Sequence, residues 1–175
     1  MGITVMSPLL ERSRLTYFLV ENLGDGNGRI HLPGYQWYES HLCGLVKDEY
    51  GTSLSDLFLT RGSVRFGRNR DAEIYVPDDD YVSRVHGEMY FSDEGNMFVE
   101  DRSRNGMLIS WKGPEWDKQA RTEKGSVVML FPKGTPLTDE KRSVEMHFGG
   151  EVSRGEPELT PELRYILRID AERRA

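Results

Sequence analysis

Short apolar runs separated by turn residues are the feature that most constrains the fold of this chain. They recur from residue 57 to residue 148, and Gly, Pro, Asp or Asn stands near the end of most of them. In the run SVEMHF, Val144, Met146 and Phe148 alternate with polar residues, which is the period of a half-buried strand. The other runs are SVRFGR, AEIYV, HGEMYF, MFVED, MLISW and SVVMLF. Strands this short, with no helical pattern between them, predict an all-β fold, an antiparallel β-sandwich or barrel.

The flanking segments differ in character from this central region. Residues 1–14 are interpreted as a flexible N-terminal segment, residues 15–149 as the sandwich, and residues 150–175 as a linker and a short C-terminal helix. The helix is predicted because Thr160 is a good N-cap, Pro161 suits the first turn, and apolar side chains recur at helical spacing after them. A glycine-rich and aromatic segment around 24–41 is interpreted as a candidate insertion between the first strands.

Composition narrows the class of function. The chain has a formal net charge of −6, so its overall charge opposes a general nucleic-acid or membrane-surface binder. Its single cysteine leaves no internal disulfide framework and no multi-cysteine zinc site. No histidine, cysteine or acidic spacing indicates a metal or another cofactor, and no apolar run approaches the ~18 residues of a membrane span. We therefore expect an intracellular protein, nuclear or cytoplasmic, with no nucleic-acid or membrane partner; its oligomeric state is not indicated.

The motif Ser83-Arg84-Val85-His86 invites a nucleophile-and-base interpretation. Residues three apart on a strand point to opposite faces, however, so a direct contact between the hydroxyl and the ring needs a loop. The sequence also lacks the G-x-S-x-G elbow of serine hydrolases. We therefore predict no enzymatic activity and no catalytic residue.

Arginines gather at strand ends and in predicted turns in spite of the acidic total. They are Arg68, Arg70, Arg84, Arg102 and Arg104. If these turns meet at one end of a sandwich, their guanidinium groups, the Ser83 hydroxyl and the Asn105 amide form a surface that suits an anion. The alternative is that these arginines are solvated or pair with Asp71, Glu73 and the acidic run 78–80. Sequence alone leaves both alternatives open.

The ordered set Gly67-Arg68, Ser83-x-x-His86 and Asn105-Gly106 resembles the signature of the forkhead-associated (FHA) domain family. The core of the resemblance covers about residues 58–113. It implies an antiparallel β-sandwich of the SMAD/FHA-like class, with loops at one end that bind phosphothreonine peptides. The partner implied is a phosphothreonine-containing protein or peptide.

The resemblance also implies roles for individual residues. Arg68, Ser83 and Arg84 would contact the phosphate or support the peptide, and Asn105 would hold the peptide main chain. Gly67, His86 and Gly106 would be structural members of the motif. Arg104 departs from the family pattern: we interpret it as a further phosphate-binding residue, and the alternative is that it crowds the groove. Met107 departs from the pattern as well, and we expect that to alter packing only.

The function expected is a non-catalytic, phosphothreonine-dependent signalling adaptor. Two alternatives stay open at this point. The chain could be the regulatory FHA fragment of a larger enzyme, such as a checkpoint-type Ser/Thr kinase, although it contains no kinase motif itself. It could also be an FHA fold used for phosphate-independent dimerisation or scaffolding.

Overall fold

The computed structural model describes residues 8–24, 27–32, 36–41, 51–77, 80–113, 118–135, 142–150 and 163–173. Within them lie two short helices and a series of strands in two sheets. The helices are α1 (Pro8–Arg12) and α2 (Leu54–Arg61). The strands are β1 (Ser13–Gly24), β2 (Asn27–Leu32), β3 (Gln36–His41), β4 (Thr52–Ser53), β5 (Ser63–Gly67), β6 (Ile74–Tyr75), β7 (Gly87–Phe91), β8 (Met97–Asp101), β9 (Met107–Lys112), β10 (Lys118–Thr122), β11 (Val127–Phe131), β12 (Arg142–Phe148) and β13 (Tyr165–Arg173).

The two sheets confirm the predicted antiparallel β-sandwich. The larger sheet has the order β10-β9-β12-β13-β1-β2-β3, and the two-residue β4 pairs with β1. The smaller sheet has the order β11-β8-β7-β5-β6. All pairs are antiparallel except β5 with β6. Because β5, β7 and β8 lie side by side, the loops that carry the sequence motifs begin or end on neighbouring strands.

The core lies between the sheets and follows the predicted alternation. Val144, Met146 and Phe148 of β12 point into it from the larger sheet, and Val64 and Phe66 of β5 from the smaller one. All five side chains are essentially inaccessible to water, and burying each contributes about 1.5–3 kcal/mol relative to exposure. The core thus anchors both sheets next to the loops described below.

The predicted C-terminal helix is wrong. Residues 165–173 form strand β13, which lies between β1 and β12 and pairs with both. Leu167, Ile169 and Ala171 face the core at every second position, whereas Ile166 packs on the opposite face of the sheet. The run RYILRIDAER fits both the helical and the strand period, so local pattern could not separate them. The strand forms because the backbone of residues 165–173 can pair with both β1 and β12. The linker and the proposed N-cap of the predicted helix lie outside the described residues.

Helix α2 was not predicted from sequence. Ser53 caps its N-terminus by accepting a hydrogen bond from the Asp56 backbone N–H at 3.2 Å, and Gly62 ends it with a positive φ of 81°. The apolar face of α2 is short and consists of Leu54 and Phe58, which are buried one turn apart. Such a helix is too brief to produce a recognisable periodic pattern, and it is stabilised by packing against β1 and β5.

The segment interpreted as a candidate insertion contains strands β2 and β3, which extend the larger sheet beyond β1. The Trp37 ring lies 4.5 Å from the His31 ring and 6.2 Å from the Tyr165 ring, so it is covered within the domain. Tyr38 is exposed. Whether these strands are an insertion relative to FHA domains stays a prediction.

A cluster of charged groups on strands β9 and β12 joins buried Glu145 and His147 to the exposed Lys112. The Glu145 carboxylate lies 3.1 Å from His147 Nε2 and 3.2 Å from Lys112 Nζ. Burial desolvates Glu145 and by itself raises its pKa, but the His147 hydrogen bond and the Lys112 ion pair outweigh burial and hold the pKa below its usual range. Glu145 is therefore ionised at neutral pH.

Candidate anion-binding site

Three loops meet at one end of the sandwich. They are residues 67–71 after β5, residues 80–86 before β7, and residues 102–106 between β8 and β9. The Arg68 N–H donates to the Ser83 carbonyl and the Asn69 N–H to the Arg84 carbonyl, both at 3.0 Å. The Arg102 N–H donates to the His86 carbonyl at 3.0 Å. All the site residues predicted from sequence therefore lie on loops that are hydrogen-bonded to one another.

Gly67 lies where two of these loops touch. A Cβ atom at this position would lie 2.7 Å from the Ser83 carbonyl oxygen and 2.8 Å from the His86 backbone nitrogen, and it would press on the Arg84 carbonyl. Real Cβ atoms do not approach backbone this closely, so any side chain would push the 80–86 loop away. The absence of a side chain at Gly67 lets the loop sit directly on the end of β5.

His86 is fully buried and connects the second and third loops. Its Nδ1 accepts a hydrogen bond from the Ser83 backbone N–H at 3.1 Å, and its Nε2 lies 3.0 Å from the Gly106 carbonyl. Because Nδ1 accepts, the proton must be on Nε2, which donates to Gly106. The ring also stacks on Phe148 with centroids 4.8 Å apart. Both ring nitrogens are thus occupied by backbone, and neither is aimed at a substrate.

The Ser83 hydroxyl makes a different contact. Its oxygen accepts a hydrogen bond from the Arg104 backbone N–H at 3.0 Å, and it is not bonded to the His86 ring. A hydroxyl that accepts one bond still has its own hydrogen to donate. Ser83 and His86 therefore do not form a nucleophile-and-base pair, and the hydroxyl can serve as a donor to a ligand.

The loop that carries Asn105 is shaped by a buried network that sequence reasoning missed. The Asp101 carboxylate accepts bonds from the Ser103 N–H at 2.7 Å, the Ser103 hydroxyl at 2.6 Å and the Thr122 hydroxyl. The Ser103 hydroxyl oxygen in turn accepts from the Gly106 N–H at 2.7 Å. An Asp two residues before a Ser is a local signal for such a turn, but the contribution of Thr122 comes from a distant strand and carries no local signal.

Gly106 follows Asn105 with φ of 83°, a conformation that residues with a side chain rarely adopt. The Asn105 side-chain amide donates to the Tyr81 carbonyl at 2.9 Å. This bond directs Asn105 towards the 80–86 loop. Its side-chain oxygen has no partner among the described residues and is able to accept from a ligand N–H.

The arginines of the region divide into two groups. Arg102, together with Arg65, lies outside the site: Arg102 pairs with Glu88 at 2.6 Å and Glu100 at 2.8 Å, and Arg65 pairs with Glu73 at 3.2 Å. Of the arginines singled out from sequence, Arg102 is therefore paired with acidic residues, but with Glu88 and Glu100 and not with Asp71, Glu73 or the run 78–80.

The second group is exposed on the three loops. Arg84 and Arg104, and likewise Arg70, make no side-chain hydrogen bond or ion pair with any residue that the structure describes. Arg68 is also exposed and uses its Nε to hold the Val82 carbonyl at 3.0 Å, so its terminal nitrogens remain available. Glu73, Glu88 and Glu100 are thus paired with Arg65 and Arg102, whereas the guanidinium groups of Arg84 and Arg104 have no ion pair with the described residues.

The chemistry of this arrangement suits the binding of an anion. It combines exposed guanidinium groups, a hydroxyl donor and an amide on loops held in place by a buried imidazole. Within the described ranges, no group of three or more His, Cys, Asp or Glu side chains is arranged to hold a metal ion. No helix in those ranges is long and apolar enough to cross a membrane.

Comparison with known proteins agrees with this geometry. Residues 64–130, which include all three loops, match the model of the FHA domain family. This central part of the chain is similar to an FHA domain. Strands β1, β12 and β13 lie outside the matched residues, yet they complete the larger sheet behind the three loops. No curated protein matches the chain.

Several solved FHA structures are similar to this chain at low identity. The N-terminal FHA domain of S. cerevisiae Rad53p, solved with a phosphothreonine peptide, is 15% identical, with 91% of this chain and 94% of that chain covered and a TM-score of 0.39. An engineered FHA domain with a Myc-pTBD peptide is 15% identical, with 91% and 92% covered and a TM-score of 0.38. The MEK1 FHA domain is 14% identical, with 89% and 87% covered and a TM-score of 0.38.

Proposed function

We propose that this FHA domain binds phosphothreonine-containing peptides through Arg68, Ser83, Arg84, Arg104 and Asn105, without catalysing a reaction. The proposal rests on one observation: the ring of His86 is engaged by loop backbone and not by the Ser83 hydroxyl, while the three loops that meet there carry exposed guanidinium groups without ion pairs to the described residues. The loops are thereby prepared to hold an anion and not to activate a nucleophile.

The phosphate is expected to lie between Ser83 and the exposed guanidinium groups. A phosphothreonine carries about −1.5 to −2 charges at neutral pH and offers three acceptor oxygens. Ser83 donates its hydroxyl hydrogen, and Arg84 supplies the main charge-assisted bonds. Arg104, whose backbone N–H is 3.0 Å from the Ser83 hydroxyl oxygen, is well placed along the chain to add a further bond. Charge-assisted bonds of this kind are worth about 1.5–3 kcal/mol each, so an unmodified peptide should bind far more weakly.

The peptide main chain is expected to bind Asn105. Its amide nitrogen is engaged with Tyr81, which leaves the side-chain oxygen to accept a peptide N–H. Selectivity for threonine over serine requires a small apolar contact for the γ-methyl group, worth roughly 0.8 kcal/mol for one buried carbon. We therefore expect a preference of a few-fold for phosphothreonine over phosphoserine.

The residues C-terminal to the phosphothreonine are expected to meet the loop around 79–82. Asp80 is exposed there, while residues 78 and 79 lie outside the described residues. An acidic loop favours a basic or polar peptide residue at that point. An array of phosphothreonine peptides should show this preference, and selection for acidic residues there would contradict it.

The decisive experiment is a titration of labelled peptides that differ only in the phosphate. A degenerate peptide library with fixed phosphothreonine, phosphoserine or threonine provides the probe, because the natural partner is not identified. Arg84→Ala should weaken phosphothreonine binding by at least about tenfold, the equivalent of one lost charge-assisted bond. Arg61→Ala is the matched control, since Arg61 is also exposed but lies at the end of α2, away from the three loops.

The possible outcomes separate the proposed function from its alternatives. Phosphate-dependent binding that Arg84→Ala weakens and Arg61→Ala does not would support the proposal. Equal binding of phosphorylated and unmodified peptides, unchanged by Arg84→Ala, would instead indicate phosphate-independent scaffolding. We expect the module to act in signalling in the nucleus or cytoplasm, where phosphothreonine is produced.

A further inference from the structure

Strand β11 presents an unusual surface at the edge of the smaller sheet. Its side chains alternate: Val128 packs against the core, whereas Val127 and Met129 point outwards and are 51% and 38% exposed. The sequence of the strand, VVMLF, contains no charged residue and no proline. Large apolar side chains exposed two positions apart on one strand form a continuous strip and are not scattered surface residues.

The backbone of β11 has an outer edge that, from Val127 to Met129, precedes Leu130, whose carbonyl accepts from the Trp111 indole N–H at 3.1 Å. It pairs with β8, and no strand of the described residues pairs with its other edge. Edge strands are usually protected against association by lysine, proline or inward-pointing charge. β11 has none of these within its length. A β-bulge between Met129 and Phe131 disturbs its end, but the part from Val127 to Met129 keeps a regular register.

The apolar strip continues across the sheet. Met129 lies opposite Phe98 of β8, and Phe98 lies opposite Tyr90 of β7. The Tyr90 and Phe98 rings are stacked with centroids 5.9 Å apart. The exposed strip therefore leads from the open edge onto an aromatic pair, so a strand added to β11 would find both backbone groups and apolar side chains to contact.

Charge identifies the partner that suits this edge. Val127 lies opposite Glu100, and Arg102 pairs with both Glu100 and Glu88, so these three groups keep only one uncompensated negative charge although the whole chain carries −6. A second identical face therefore approaches without strong repulsion. In an antiparallel pair centred on Val128, Val127 of one copy lies opposite Met129 of the other.

We propose that this chain forms a twofold dimer in which the β11 strands of two copies pair antiparallel and centred on Val128, joining the two smaller sheets into one continuous sheet. The apolar strips of both copies then become contiguous across the new pair. The pairing does not involve the loops that carry Ser83 and Arg84 and does not depend on their function. Because each copy contributes one short strand, the association is expected to be weak.

The test is sedimentation velocity and light scattering of the whole chain from about 5 to about 500 µM, which spans weak association constants. The apparent mass of the wild type should rise with concentration from 20.1 kDa towards twice that value. Val127→Lys should weaken the association at least about tenfold by placing a lysine on the edge. Leu59→Lys is the matched control, because Leu59 is 53% exposed on α2 and lies away from this edge.

A charge pair tests the register. Mixing the Val127→Lys chain with the Met129→Glu chain places opposite charges across one position of the proposed pair, so the mixture should associate more tightly than either variant alone. Circular dichroism and thermal unfolding establish that each variant is folded. A wild type that stays monomeric at all concentrations, which would leave the edge to another partner, overturns the proposal. Dimerisation that Leu59→Lys weakens as much as Val127→Lys does overturns it too.

Discussion

Replacing His86 by alanine separates the two roles assigned within the Ser83–His86 motif. The variant removes a fully buried ring that receives a hydrogen bond from the Ser83 N–H and donates one to the Gly106 carbonyl. We expect the substitution to lower both the stability of the domain and its affinity for phosphothreonine peptides. Ser83→Ala, in contrast, should lower affinity with little effect on stability.

The expected loss of stability follows from the contacts of the ring. The two backbone groups left without a partner cost about 1 kcal/mol each at the low end of the range, which we use because the 80–86 loop is close to solvent. Losing the ring that stacks on Phe148 adds a cavity worth about 2 kcal/mol. The sum is about 4 kcal/mol, which corresponds to a Tm lower by roughly 8–16 °C for a domain of this size. Ser83→Ala removes one bond on a half-exposed residue and should cost about 1 kcal/mol or less.

The assay is urea and thermal unfolding of both variants and the wild type, followed by peptide titration at a temperature where all are folded. An unchanged m-value would show that the difference in midpoint reports stability. A Tm of His86→Ala within about 2 °C of the wild-type value would correspond to a loss of less than about 1 kcal/mol in the free energy of unfolding, and it would refute the structural role of the ring. It is equally refuted if His86→Ala binds phosphothreonine peptides as the wild type does.

Three further predictions concern the support of the site and the larger sheet. Gly67→Ala should destabilise the domain by about 2–3 kcal/mol in thermal unfolding because the new methyl group overlaps the loop backbone; an unchanged Tm would contradict this. Asp101→Ala should lower the free energy of unfolding by about 2–4 kcal/mol and weaken peptide binding, because the hydrogen-bond donors of Ser103 and Thr122 lose their acceptor. Full peptide binding by this variant would show that the network does not position Asn105. Glu145 has a lowered pKa, so its ionised form stabilises the fold above its unfolded value of 4.5, and this contribution disappears as pH falls through the lower folded value. Acid unfolding of the wild type should therefore show a steeper loss of stability below about pH 4.5 than that of Glu145→Gln, and parallel curves would refute the assignment.

Sequence predicted most of the strands because their signals are local. In runs such as SVEMHF the alternation of apolar and polar residues is imposed by a sheet with one buried face, and turn residues mark the ends. The same locality explains why the motif residues could be found. Glycine is required at position 67 by a close backbone contact and at position 106 by a positive φ, so both residues can be recognised from the sequence.

Residues 165–173 show the limit of predicting secondary structure from local sequence. Leu163, Ile166 and Leu167 lie on one face of a helix, whereas Tyr165, Leu167 and Ile169 lie on one face of a strand, so the segment fits both periods. What decides between them is the pairing with β1 and β12, which are distant in the chain. Helix α2 illustrates the reverse case, because a helix of two turns gains its stability from tertiary contacts and leaves little periodic pattern.

The amino-acid sequence by itself determined the class of the fold and the identity of the motif, since both depend on residue types at short spacing. The tertiary structure alone decided which arginines have partners: Arg102 is neutralised by Glu88 and Glu100, whereas Arg84 remains exposed beside Ser83. It also decided that β13 is a strand and that Thr122 supports the turn before Asn105. The physical reason is the same in each case: ion pairs, ladder bonds and buried networks join residues far apart in the chain, and no local pattern records which of them will meet.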